Sequence, residues 1–86
     1  MSVEQVVTTV EERLGDTRFL PCIRSIVRAI AVAYERNVEE GRSLYLWHVD
    51  QYMPVTVKRP TAFMRALSEI ARVTFEECEK VFAQQK

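Results

Sequence analysis

The sequence predicts a single all-α domain, on three observations. Apolar residues recur at helical spacing along most of the chain, capping residues stand where those runs begin, and turn material is scarce. Only 2 Gly and 3 Pro occur in 86 residues, too few for the repeated tight hairpins of a β fold. Apolar residues make up 48% of the chain, enough for a core and too many for a disordered segment. The expected architecture is a compact bundle of five helices, six if one loop forms a turn, with residues 1–86 as one domain.

The first helix opens at Ser2-x-x-Gln5, a capping-box spacing. Val3, Val6, Val7, Val10 and Leu14 then form one apolar stripe, and Gly15 supplies the left-handed stop. The second runs from about Arg18 or Phe19 to Arg36, beginning close to Pro21, because proline is tolerated only in the first turn. Ile23, Ile26, Val27, Ile30, Ala33 and Tyr34 make its stripe. Ala29, Ala31 and Val32 carry apolarity nearly round the cylinder, as expected of a central, buried helix. The charged segment Asn37–Gly41 reads as a loop.

Ser43 is the expected cap of a third helix, Leu44 to about Tyr52, with Leu46, Val49 and Met53 inward and Tyr45 and Tyr52 beside them. Pro54 ends it. Val55-Thr56-Val57 alternates but is too short for a sheet. Pro60 stands as the first residue of a fourth helix through about Val73, with Phe63, Ala66, Leu67, Ile70 and Val73 as core stripe. Thr61, Ala62, Arg65, Ser68, Glu69 and Arg72 take its other side. A fifth helix starts at a second capping box, Thr74-x-x-Glu77, with Phe75, Cys78 and Phe82 inward. Residues 84–86 are expected to fray.

Several functions lack their chemistry. There is no Gly-rich phosphate loop, GxSxG, HExxH or DxDxDG. Cys22, Cys78 and the single His48 cannot close a tetrahedral metal site, so two reduced, packed thiols are expected. Adjacent carboxylates such as Glu11-Glu12, Glu39-Glu40 and Glu76-Glu77 point different ways on a helix. The chain is therefore expected not to be an enzyme and to need no metal or cofactor. No cationic segment leads into an apolar one at the N-terminus, and Arg28 interrupts the longest nearly apolar stretch, Ile26–Tyr34. A soluble cytoplasmic protein without membrane contact follows as an expectation.

The 12 basic and 12 acidic residues cancel, which argues against a bulk polyanion binder. The cancellation is uneven. Residues 1–41 carry net −2, residues 42–72 net +3 and residues 73–86 net −1. The positive part falls on helix three, connector and helix four. That helix-turn-helix-like unit is the kind that lays its second helix in a major groove with the helix N-terminus toward phosphate. Lys58 and Arg59 stand at that end, and Arg65 and Arg72 lie seven apart on one face. The alternative from the same residues is an ordinary amphipathic helix with solvated arginines.

Pro60-Thr-Ala-Phe63-Met-Arg65-Ala66-Leu67 resembles the PxxVxRAI signature opening the recognition helix in the C-terminal DNA-binding domains of the stage zero sporulation protein A family. Leu14-Gly15 followed by Ala29-Ile30, and Leu44-Tyr45 with Tyr52, are similar to further elements of that family. The resemblance implies an all-helical, transcription-regulating module that binds double-stranded DNA, with Arg65 a DNA contact and Thr61 a polar position near the start of the helix. Together with the charge pattern it gives the candidate DNA-binding set Lys58, Arg59, Thr61, Arg65, Ser68 and Arg72, with Arg42 as an addition. The chain departs from the family at Ala62, where an Arg is usual, and at Met64, where a Glu is usual. Its connector is about four residues longer than the family's turn. DNA binding is the preferred reading; Ala62 and Met64 favour a rival from another class, a helical protein–protein interaction domain without base readout, and the local +3 favours DNA. A homodimer or a protein partner is the corresponding expectation. Trp47 fits either role, stacking on a base or plugging a partner surface, or else an edge-of-core position. His48 reads as a pH-sensitive group or an ordinary surface histidine. Met53, Val55 and Met64 are a further candidate apolar patch.

Overall fold

In the computed structural model, which describes residues 2–15, 21–52, 58–59 and 61–83, the apolar stripes become four helices around a shared seam. They are α1 (Ser2–Leu14), α2 (Pro21–Arg36), α3 (Val38–Tyr52) and α4 (Ala62–Cys78), and a π-helical turn (Glu79–Ala83) continues α4. Among the described residues there is no strand. α1 ends at Gly15, whose φ of 75° is the left-handed stop. α2 begins at Pro21 as the proline rule requires.

The core is built from α1, α2 and α4. Val3, Val6, Val7 and Val10 meet Ile23, Val27, Ile30, Ala31 and Tyr34, and Leu67, Ile70, Ala71, Val73 and Cys78 close the seam. Each such aliphatic side chain contributes on the order of 1.5–3 kcal/mol by leaving water. Ion pairs tie the helices at the rim. Arg28 of α2 holds Glu4 of α1 (2.9 Å), and Arg13 of α1 reaches Glu76 and Glu77 of α4, each at 2.9 Å.

Three helix boundaries differ from the sequence expectation. Residues 37–41 are not a loop. Asn37 alone separates α2 from α3, and its side-chain oxygen accepts from the backbone N–H of Glu39 (2.8 Å) and Glu40 (3.3 Å), so it caps α3 in place of Ser43. Gly41 then lies inside the helix because the Tyr34 ring occupies the space a Cβ would need, at 2.3 Å. The expected fourth and fifth helices are one. Thr74 is fully buried, and its hydroxyl donates back to the Ile70 carbonyl (2.7 Å), a mid-helix bond and not a cap. The cap of α4 is Thr61, whose hydroxyl accepts from the Met64 N–H (3.1 Å), so the helix begins at Ala62. Among the described residues the bundle therefore has four α-helices and not five.

Three faces also differ. α3 turns Val38, Gly41, Leu44 and Tyr45 toward the core, and Tyr45 stacks on Phe75 with ring centroids 4.5 Å apart. Leu46, five residues on from Gly41 and so about 140° round the helix, is 62% exposed and not inward. Burial in α4 begins at Leu67, which leaves Phe63 in the first turn 55% exposed. α2 is not buried all round, because Val32 and Ala29 face outward. The side chains of Ser2, Cys22 and Tyr52, the segment 53–57, Arg18, Phe19, Pro60 and residues 84–86 lie outside the described residues. So do the expectations attached to them.

Candidate interaction surface

The single-residue link at Asn37 folds α2 and α3 against each other as a helical hairpin. Its outer side holds an open groove of about 480 Å³ lined by Ala29, Val32, Ala33, Arg36, Glu40, Ser43, Leu44 and Trp47. Ala29, Ala33 and Ser43 are small, so the floor is concave. Arg36 and Glu40 pair with each other at the hinge end (3.4 Å). At the open end Trp47 is 56% exposed, its ring edge-on to His48 with centroids 5.0 Å apart. Val32 adds exposed apolar surface to the groove. Burial lowers the pKa of His48, which keeps the imidazole neutral at pH 7 and the face free of its charge.

The hairpin is anchored from below. Glu79, placed by the π turn, accepts from the Tyr34 hydroxyl (2.6 Å) and from the Arg42 guanidinium through two bonds of 2.8 Å. Hydrogen bonding from Arg42 holds the Glu79 carboxyl below the usual carboxylate range, with Tyr34 adding to it. Burial, then that carboxylate, raises the Tyr34 hydroxyl pKa. α2, α3 and the end of α4 are thus joined at one carboxylate. Cys78, the neighbouring residue, is a free buried thiol pushed up to about 12, chiefly by burial.

The sequence-derived basic set is dispersed in its roles. Lys58 and Arg59 are exposed in a bend before α4, and Arg65 is exposed one turn into it. Thr61 spends its hydroxyl on the cap. The Ser68 hydroxyl oxygen is covered and has no hydrogen-bond partner among the described residues. Arg72 is held by Glu69 (3.0 Å) and Glu76 on its own helix. Bonding to Glu69, then its charge and that of Glu76, raises the Arg72 pKa, while Arg72 lowers that of Glu69. Arg42 is committed to Glu79 and Glu39. Arg42 and Arg72, both among the cations behind the local +3, are thereby paired with acids, most of them from the flanking, acidic part of the chain. Nine residues, 53–61, connect α3 to α4, more than the 3–4 of an ordinary helix-turn-helix.

Sequence reading missed the groove because it assigned the second apolar face of α2 to the core. The signal was present as apolarity wider than one neighbour could cover. Among the described residues no group of acids, His and Cys is placed to hold a metal ion, and no described helix is long and apolar enough to cross a membrane. No family model matches the chain, and neither a curated protein nor a solved structure is similar to it.

Proposed function

We propose that this domain is a helical protein–protein interaction module that docks through the outer face of the α2–α3 hairpin. The observation that carries the reading is the groove itself, a concave floor of small residues edged by Val32 and a half-exposed Trp47. An aromatic anchor beside an apolar concavity is the usual composition of an interface centre. The carboxylate tie beneath the hairpin supports the same reading, because a fixed surface loses less entropy on docking.

A second reading, DNA binding through a helix-turn-helix-like pairing of α3 and α4, draws on a different observation. The first turn of α4 carries no acid, and Lys58, Arg59 and Arg65 are exposed around it, on the stretch that resembles the sporulation regulators. It ranks second because Arg72 and Arg42 are held by carboxylates and because a long connector separates the helices.

Two titrations separate the readings. Anilinonaphthalene sulfonate added to dilute protein should accept energy from Trp47, and Val32→Glu should abolish the transfer. Labelled duplex at low salt should show no binding beyond weak association insensitive to sequence. The opposite pattern assigns function to α4: probe binding indifferent to Val32, with duplex affinity falling at a log–log salt slope of roughly −3 to −5 and lost in Arg65→Ala.

A further inference from the structure

The groove is shaped by residues that do not line it. Glu79 accepts from the Tyr34 hydroxyl of α2 (2.6 Å) and through two bonds of 2.8 Å from the Arg42 guanidinium of α3. Tyr34 and Arg42 are the chain neighbours of Ala33 and Ser43, which do line the groove. Neighbours on a helix point about 100° apart, so one carboxylate fixes the backbones that carry two of the lining residues. We infer that Glu79 is the positioning residue of the α2–α3 groove, and that the π turn is the strap that holds it there. The inference rests on the docking role proposed for that face and names the residue that controls it.

The hairpin gives this tie leverage. Near the hinge, Gly41 lies against the Tyr34 ring with no room for a Cβ, so α2 and α3 are already in contact there. Farther along α3, Arg42 stands about 7.5 Å from Asn37 and Trp47 about 15 Å. A shift permitted at Arg42 is therefore about doubled at Trp47. Arg42 and Tyr45, three residues apart on α3, both reach α4 and its π turn, Tyr45 by stacking on Phe75 at 4.5 Å. Two points fix the orientation of a helix, whereas one point is a pivot. Stacked rings can slide, but a guanidinium fork on a carboxylate is directional. The strap is itself seated. Phe82 stacks on Tyr34 with centroids 6.2 Å apart, and Val81 packs against the core. Glu79 and Phe82 thus grip Tyr34 from the same turn.

Two measurements on the full chain test the proposal. Spin labels at the exposed positions Ser25→Cys and Gln51→Cys, in a Cys22→Ser background with Cys78 buried, report the separation of the open ends of α2 and α3. That separation should be narrowly distributed with Glu79 in place and broadened by Glu79→Ala. Arg42→Gln, at a half-exposed side chain, removes the same tie from the surface and carries the test if Glu79→Ala fails to fold. Thr61→Ala destabilises the far end of α4 without touching the tie and should leave the separation unchanged. The affinity of anilinonaphthalene sulfonate, taken as the Val32-dependent part of the energy transfer from Trp47, should fall in parallel by roughly 2- to 12-fold, the loss expected when one more side chain must be ordered on binding. Glu79→Ala combined with Arg42→Gln should match Glu79→Ala alone, because both remove one interaction. An unchanged separation, an unchanged affinity, or equal broadening in Thr61→Ala overturns the positioning role. A wild type without Val32-dependent transfer overturns the docking reading itself, and a separation that still responds to Glu79→Ala then makes Glu79 a tie of the fold alone.

Discussion

At Gly41 the Tyr34 ring lies where a side chain would begin, with Tyr34 Cδ2 and Cγ at 2.3 Å and its Cα at 2.8 Å from an added Cβ. The backbone atom cannot swing away, so Gly41→Ala should cost about 1–3 kcal/mol through overpacking, even though alanine is the better helix former. Urea denaturation reads this directly, as a lower midpoint with an unchanged slope. Tyr34 makes a second test through its hydroxyl. Glu79→Ala leaves that buried hydroxyl without an acceptor and should cost about 1–3 kcal/mol. Tyr34→Phe removes the donor but leaves Glu79 bonded to Arg42, and should cost less, about 0.5–1.5 kcal/mol. Equal losses would mean that Glu79 acts through Tyr34 alone and that its bonds to Arg42 add nothing. At Cys78, burial and a pKa pushed up to about 12 make the thiol inert. In a Cys22→Ser background it should react with a thiol reagent only at the rate of unfolding.

Among the elements, α4 makes the sharpest claim, because its continuity through Thr74 replaces an expected break. Thr61→Ala should cost about 1 kcal/mol by uncapping the helix. Thr74→Val should cost less, since the Ile70 carbonyl is already part of the helix ladder and no N–H is orphaned. Thermal melts of the two variants compare them, and a larger loss at Thr74 would restore the two-helix arrangement. Most of the element pattern was legible in the chain. The valine stripe of α1, Gly15 as its stop and Pro21 as the start of α2 follow from period and capping alone. What was not legible depended on contacts between distant residues. Thr74-x-x-Glu77 has the form of a capping box, but burial of Thr74 against the core favours continuation. Gly41 looks like a loop residue until Tyr34 is placed over it. The groove was hidden for the same reason. Periodicity identifies apolar faces, but only packing decides which of two apolar faces of α2 is covered.

For the molecule as a whole, the extents of 40 × 26 × 17 Å describe a flat body about two helices thick. A flat bundle leaves each helix with an outer side, and on α2 and α3 that side includes the exposed Ala29, Val32, Leu46 and Trp47. The carboxylates of Glu4, Glu69, Glu76 and Glu79 are all held below their usual value of 4.5, each first of all by an arginine. Their contribution to stability is complete above that value and is lost as pH falls through the lowered folded values. His48 is shifted down from 6.5 by burial, so the unfolded chain takes up its proton first and stability declines gently below that pH. Melting temperature should therefore fall shallowly below about pH 6.5 and steeply below about pH 4.5, and His48→Gln should remove only the shallow part. A melting temperature constant down to pH 3 would contradict the role assigned to these ion pairs. Trp47 stands at the proposed docking face and is the chain's one tryptophan, so its fluorescence reports on that face alone. Anilinonaphthalene sulfonate seated in the groove should quench that emission by energy transfer, and Val32→Glu should abolish the quenching. Quenching of equal strength in the wild type and in Val32→Glu would contradict a docking role for this face.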